Sequence, residues 1–245
     1  MRVNRAYIDA PLGTGLLVEL PEHAGGHLVR VLRLREGDEC VLFNGDGHDY
    51  TARIRAIGKR GVQAEVTAAV AVDNESPLHI TLLQGITRGE KMDLILQKAT
   101  ELGVSAIVPV HSERSEVKLD GARAEKRLAH WRGVVASACE QCGRACLPSV
   151  SAPAPLQQAV AAAQLPPSRF LLSPLAEAGI DALEAPADAA LTLAVGPEGG
   201  WSARDLQVLN DAGFSSLRLG PRILRTETAG LAAIAALQMR LGDLR

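Results

Sequence analysis

Aromatic residues are scarce. Two Trp, two Tyr and three Phe make up 3% of the 245 residues, which argues against a wide base-stacking platform for single-stranded nucleic acid. There is no excess of basic charge either: 26 Lys and Arg stand against 28 Asp and Glu, a formal net charge of −2. The chain is therefore not a polycation that holds phosphates through its overall field. Cysteine is limited to four residues, and with no secretory apolar core in MRVNRAYIDAPLG, disulfides are not expected. No apolar run approaches the roughly 20 residues needed to cross a bilayer. With 47% hydrophobic and 22% charged residues, the composition is that of an ordinary globular protein of one to two domains, expected in the cytoplasm.

Several motifs are also missing. No G-x-x-x-x-G-K-[ST] phosphate loop occurs, and GTGLLV at 13–18 has Val18 where a dinucleotide-binding turn needs its third glycine. Neither G-x-S-x-G nor H-E-x-x-H is present, so serine hydrolase and zinc peptidase chemistry have no support. Cys139, Cys142 and Cys146 lie close together, but Cys40 is remote and no fourth ligand stands nearby. Their spacing places all three on one face of a helix predicted over 122–145, where they are expected to be inert, half-buried thiols and not metal ligands. No metal is expected.

What is there divides in two. Residues 1–73 read as short strands: HDYTARIRAI and GVQAEVTAAV alternate apolar with polar side chains, and Gly-rich turns separate them. One helix, from about Pro21 to Leu32, interrupts them, and the whole points to a small β-barrel. The polar stretch VDNESP at 72–77 is the expected boundary. Residues 74–245 alternate apolar strands (LHITLLQ, AIVPV, RFLLS, LTLAV, FSSLRL) with helical patterns, as in a mostly parallel α/β sheet. The Ala- and Pro-rich segment 148–167 reads as loop, short helix and loop.

Two loops near the C-terminus carry the chemistry-bearing residues. In LTLAV-GPEGG-WSARDL, Gly196, Gly199 and Gly200 let bare backbone approach a ligand, and Ser202 with Asp205 forms a capping-box pattern. In LRLG-PRILRTETAG, a strand ends at Gly220 and a helix begins near Thr226 or Thr228. Both loops follow the carboxyl end of a strand, where open α/β sheets bind ligands. Arg218, Arg222 and Arg225 occur there without an intervening acid, as do Arg30, Arg33 and Arg35 in the first part. Local clusters of this kind neutralise phosphates even in a mildly acidic chain, although spaced arginines also simply solvate a surface.

GPEGGWS, LGPRILRTETA, KMDLILQKATELGV with the following IVPV, ACEQCGR and the N-terminal HLVRVLRLREGD together resemble the bacterial small-subunit (16S) ribosomal RNA uridine N3-methyltransferases, the RsmE family of the knotted SPOUT superfamily. The likeness covers essentially the whole chain in order. It implies a SPOUT-type α/β fold, with a mostly parallel sheet and a C-terminal trefoil knot, preceded by a PUA-like RNA-binding β-barrel. It also implies a homodimer that binds S-adenosyl-L-methionine through main-chain groups of three loops. By position these supply Leu172, Ser173 and Pro174; Gly196, Pro197, Gly199 and Gly200; and Leu219, Gly220, Ile223, Leu224 and Thr226. Ser173 departs from the histidine more usual in the family.

The implied reaction is methyl transfer to N3 of a uracil, a nitrogen that must lose its proton. Arg225 is assigned to charge developing on the uracil oxygens, Glu227 to the proton, with Glu198 as its rival, and Arg222 to a phosphate. RNA capture is assigned to Arg30, Arg33, Arg114 and Arg144. The apolar C-terminal helix AGLAAIAALQM is the expected dimer contact. Two alternatives stay open: the same fold acting on transfer RNA or a ribose hydroxyl, and a non-catalytic RNA-binding factor of ribosome assembly.

Overall fold

Alternation decides the first unit. In the computed structural model, which describes residues 4–59, 61–117, 119–162 and 164–244, Tyr50, Ala52 and Ile54 point inward from one long strand and Val62, Ala64 and Val66 from the next. The elements in order are β1 (Arg5–Tyr7), β2 (Leu17–Leu20), α1 (Glu22–Gly26), β3 (Glu39–Phe43), β4 (His48–Gly58) and β5 (Gly61–Ala71). They form a five-stranded sheet in the order β1-β3-β4-β5-β2, with β1 parallel to β3 and the other pairs antiparallel. The core holds Ile8, Leu20, Leu28, Leu42 and Ile54, together with Cys40, whose thiol burial pushes up to about 11.

The single helix expected over 21–32 is divided: α1 ends at Gly26, and a wider π-helical turn runs over His27–Val31. Close packing accompanies the change, because a side-chain carbon on Gly25 would lie 3.1 Å from Val62. Arg33 follows with φ +61.

The compact unit built on this sheet runs to Glu75 and also takes in Ala136–Leu147, a segment outside the linear boundary expected at 72–77. The Arg5 guanidinium binds it there, donating to the Cys139 carbonyl at 2.9 Å and to Asp49 while resting over the Phe43 ring. Two expectations fail in this segment. Arg144 is no free RNA ligand: it is 5% exposed, and its fork donates to both carboxylate oxygens of Glu75, Nε to Oε1 at 3.0 Å. Cys146 does not share a helix face with Cys139 and Cys142, because Gly143 at φ +89 ends the helix after Cys142.

The second unit comprises β6 (His79–Gly85), α2 (Lys91–Glu101), β7 (Ala106–His111), most of α3 (Gly121–Cys142), β8 (Ser149–Val150), β9 (Ala154–Pro155), α4 (Leu156–Ala162), β10 (Ser168–Leu172), β11 (Ala190–Val195), α5 (Ala203–Asp211), β12 (Ser215–Leu217) and α6 (Thr226–Leu241). Its strands pair in parallel in the order β12-β10-β11-β6-β7-β8, with β9 also on β7. Helices cover both faces, which is why β6 and β11 read as continuous apolar runs. Leu82 faces a core made with Met92 and Leu96 of α2, Trp131 of α3 and Ile234 of α6. Leu83, its neighbour, faces the opposite core with Leu156 of α4 and Leu209 of α5. Among the described residues no helix is long and apolar enough to cross a membrane, and no three His, Cys, Asp or Glu side chains converge as a metal site.

Candidate active site

Strand order places the site. With β12, β10 and β11 side by side, the chain leaves three adjacent carboxyl ends at Leu217, Leu172 and Val195, and the loops that follow frame a cavity of about 630 Å³. Its walls include Leu172, Ser173 and Pro174; Gly196, Pro197, Glu198 and Gly200; and Leu219, Gly220, Arg222, Ile223, Leu224, Arg225, Thr226 and Glu227. All but one of the residues carried over as cofactor ligands thus stand together. The exception is Gly199, which is not a wall residue: a side-chain carbon there would lie 3.1 Å from Cβ of Arg114.

The glycine loop is held by local turns and by contacts that the chain can make only once the sheet exists. Gly200 turns at φ +66, and its N–H donates to the Pro197 carbonyl at 2.9 Å. Ser202 and Asp205 form the expected capping box, with reciprocal bonds of 2.9 and 3.0 Å. Asp205 also accepts from the Glu113 N–H at 3.2 Å, and Arg114 donates to the Gly199 carbonyl at 3.0 Å. The segment after β7 is thereby fastened to the glycine loop, so Arg114, assigned to RNA by the resemblance, stands at this cavity. Asp205→Ala removes the reciprocal half of the capping box and leaves the buried Ser202 N–H and the partly buried Glu113 N–H short of an acceptor, and is expected to cost about 1–2 kcal/mol in urea denaturation.

Gln84 and Lys91 were not anticipated. Gln84, fully buried at the end of β6, donates through Nε2 to the Gly85 carbonyl at 2.9 Å and to Thr226 Oγ1 at 3.3 Å. Thr226, the first residue of α6, donates in turn to the Gly196 carbonyl. A glutamine closing an apolar strand was the available signal. Lys91, at the start of α2, lines the cavity and carries the only lysine charge among the described wall residues. Its Nζ lies 3.2 Å from Glu198 Oε1 and 3.8 Å from Glu227 Oε2. Partial burial of Glu198 works to raise its pKa, but hydrogen bonds from its own N–H, the Arg88 N–H and Lys91 outweigh that and hold the carboxyl below its ordinary range.

Sequence comparison decides the family. A model described as an RNA methyltransferase domain matches residues 74–238, and one described as an RNA methyltransferase PUA domain matches 20–67. A ribosomal RNA small subunit methyltransferase E of Buchnera aphidicola is 33% identical over 99% of this chain and 98% of its own. The chain belongs to the ribosomal RNA small subunit methyltransferase E family. Solved structures agree in three dimensions. The Neisseria gonorrhoeae enzyme of that name, bound to S-adenosyl methionine, is 42% identical, with a TM-score of 0.90 over 99% of this chain and 100% of that one. A Legionella pneumophila methyltransferase in complex with the same cofactor is 38% identical, with a TM-score of 0.94 over the full length of both. The fold is accordingly SPOUT-type, preceded in sequence by a PUA-like half-barrel.

Proposed function

We propose that this protein transfers a methyl group from S-adenosylmethionine to N3 of a uridine in the 16S RNA of the small ribosomal subunit. The observation that carries the reading is the cavity at the carboxyl ends of β10, β11 and β12, in a chain of this family. Its volume lies in the range of about 300–1,000 Å³ usual for small-molecule sites.

The residues present fit the cofactor. Leu172, Leu217, Leu219 and Leu224 give apolar walls for a flat ring, while Gly196, Gly200 and Gly220 put no side chain between the main chain and that ring. The bound cofactor would supply a methyl group on a positively charged sulfur, which would keep the electron pair of the broken S–CH3 bond as a neutral thioether. The chain's own side chains then have three tasks. Glu227 accepts the N3 proton, freeing the nitrogen lone pair to bond the methyl carbon. Arg225, exposed at the rim, stabilises negative charge spreading onto the uracil oxygens. Arg222, also exposed there, grips a phosphate.

Arg30 and Arg33 are exposed on the first unit and suited to further phosphate contacts. A second copy of the chain would cover apolar surface beside the cavity, where Leu175 is 91% and Ile223 85% exposed. A dimer that acts on ribosomal RNA would work in the cytoplasm.

Calorimetric titration with S-adenosylmethionine, followed by mass mapping of 16S RNA methylated by the purified protein, tests the proposal. Binding and one new N3-methyluridine are expected. Absence of cofactor binding, or a methyl group elsewhere on the RNA, would overturn it.

A further inference from the structure

Two carboxylates compete for the proton of N3, and the contacts around them separate their roles. Glu198 is engaged: its Oε1 accepts from the Arg88 main-chain N–H and from Lys91 Nζ, both at 3.2 Å. An oxygen tied to two donors, on a carboxyl held below its ordinary range, is poorly placed to take a proton from substrate. Glu227 differs. Its side chain is 15% exposed, and its Oε2 has no hydrogen-bond partner among the described residues. The cation near it is Lys91, at 3.8 Å, too far for a hydrogen bond but close enough for attraction.

These contacts form a chain from main chain to cavity. Arg88 N–H fixes Glu198, Glu198 fixes the Lys91 ammonium, and the ammonium faces Glu227. The three side chains come from positions 91, 198 and 227 and all line the same cavity. An ammonium has three donors, and one is spent on Glu198. The Glu227 carboxylate has two oxygens with about four acceptor sites, and attraction of Oε2 across 3.8 Å orients the group without a hydrogen bond, so its acceptor sites stay open for the proton.

Resting on the N3-methyltransferase reading, we propose that Lys91, anchored by Glu198, is a positioning residue that aims the Glu227 carboxylate at the substrate. Glu198 is then the anchor and not the proton acceptor.

The test is steady-state kinetics of Lys91→Met, Lys91→Arg, Glu227→Gln and the double variant Lys91→Met/Glu227→Gln, with cofactor affinity measured on each. Lys91 is partly exposed at the cavity wall, so Lys91→Met is expected to fold, as a melting curve checks. Its kcat should fall about 10- to 100-fold, the cost of a misplaced catalytic group, with the KM for RNA and the Kd for cofactor close to wild type. Lys91→Arg should restore most of the loss, and the double variant should be no slower than Glu227→Gln alone.

Losses that multiply in the double variant would overturn the proposal, since Lys91 would then act independently of Glu227. So would weakened cofactor binding with kcat preserved, which would make Lys91 a clamp on the cofactor. A wild-type chain that leaves N3 unmethylated defeats the underlying reading, whereas an active wild type matched by Lys91→Met defeats this inference alone.

Discussion

Glu227→Gln is expected to lower kcat by about 10²- to 10⁴-fold, the span typical of a lost general base, while leaving cofactor binding nearly unchanged. The amide keeps the shape of the side chain but has no carboxylate oxygen to take a proton. The site is built around that oxygen. Glu227 lies in the first turn of α6, where the helix N-terminus attracts negative charge. The following chain cannot drift, because Thr226 is bonded to the Gly196 carbonyl and supported from below by Gln84. Glu198→Gln is the control: its effect should be the smaller one, since Glu198 only anchors Lys91. Single-turnover rates on the same RNA, with cofactor saturating, compare the two directly. A larger loss in Glu198→Gln would exchange their roles.

The parts of this site that were legible in the sequence are those with a local signature. Gly200 needs a positive φ, and Ser202 and Asp205 cap the helix three residues apart, so GPEGGWSARD announces itself without knowledge of the rest of the fold. Leu172–Pro174 has no such mark. Its backbone makes an ordinary strand end, and only likeness to a family pointed to it. Lys91 and Gly85 are silent, and Gln84 nearly so, for another reason: they gain their roles because β6 pairs directly with β11, more than a hundred residues later in the chain.

The first unit repeats the lesson. Its alternating strands were plain, but Arg144 read as a free cation because nothing near it in sequence reveals Glu75, 69 positions earlier, as its partner. The helix predicted to carry Cys146 also depended on one residue. Gly143 leaves the right-handed region, and the chain turns away after Cys142.

Gly85→Ala should be the most damaging single methyl group in the second unit. Gly85 closes β6, and a Cβ there would sit 2.6 Å from both the nitrogen and Cδ of Pro197 and 3.0 Å from the carbonyl carbon of Gly196. Those are main-chain and ring atoms, with no rotamer to yield, so the glycine loop itself must move. Overpacking of this kind costs about 1–3 kcal/mol, and a loop displaced by about 1 Å costs on the order of 100-fold where main-chain groups position a ligand. Loss of measurable cofactor binding by calorimetry, with the protein still folded, is the expected result.

Gly200→Ala separates the two ways in which a glycine matters here. Nothing lies within 4 Å of the added carbon, but φ is +66. The variant therefore pays only the backbone strain of about 1–2 kcal/mol, and its loop stays in place. Cofactor affinity should accordingly fall far less in Gly200→Ala than in Gly85→Ala. Equal losses would mean that loop conformation, and not the close approach of β6 to Pro197, sets the binding geometry.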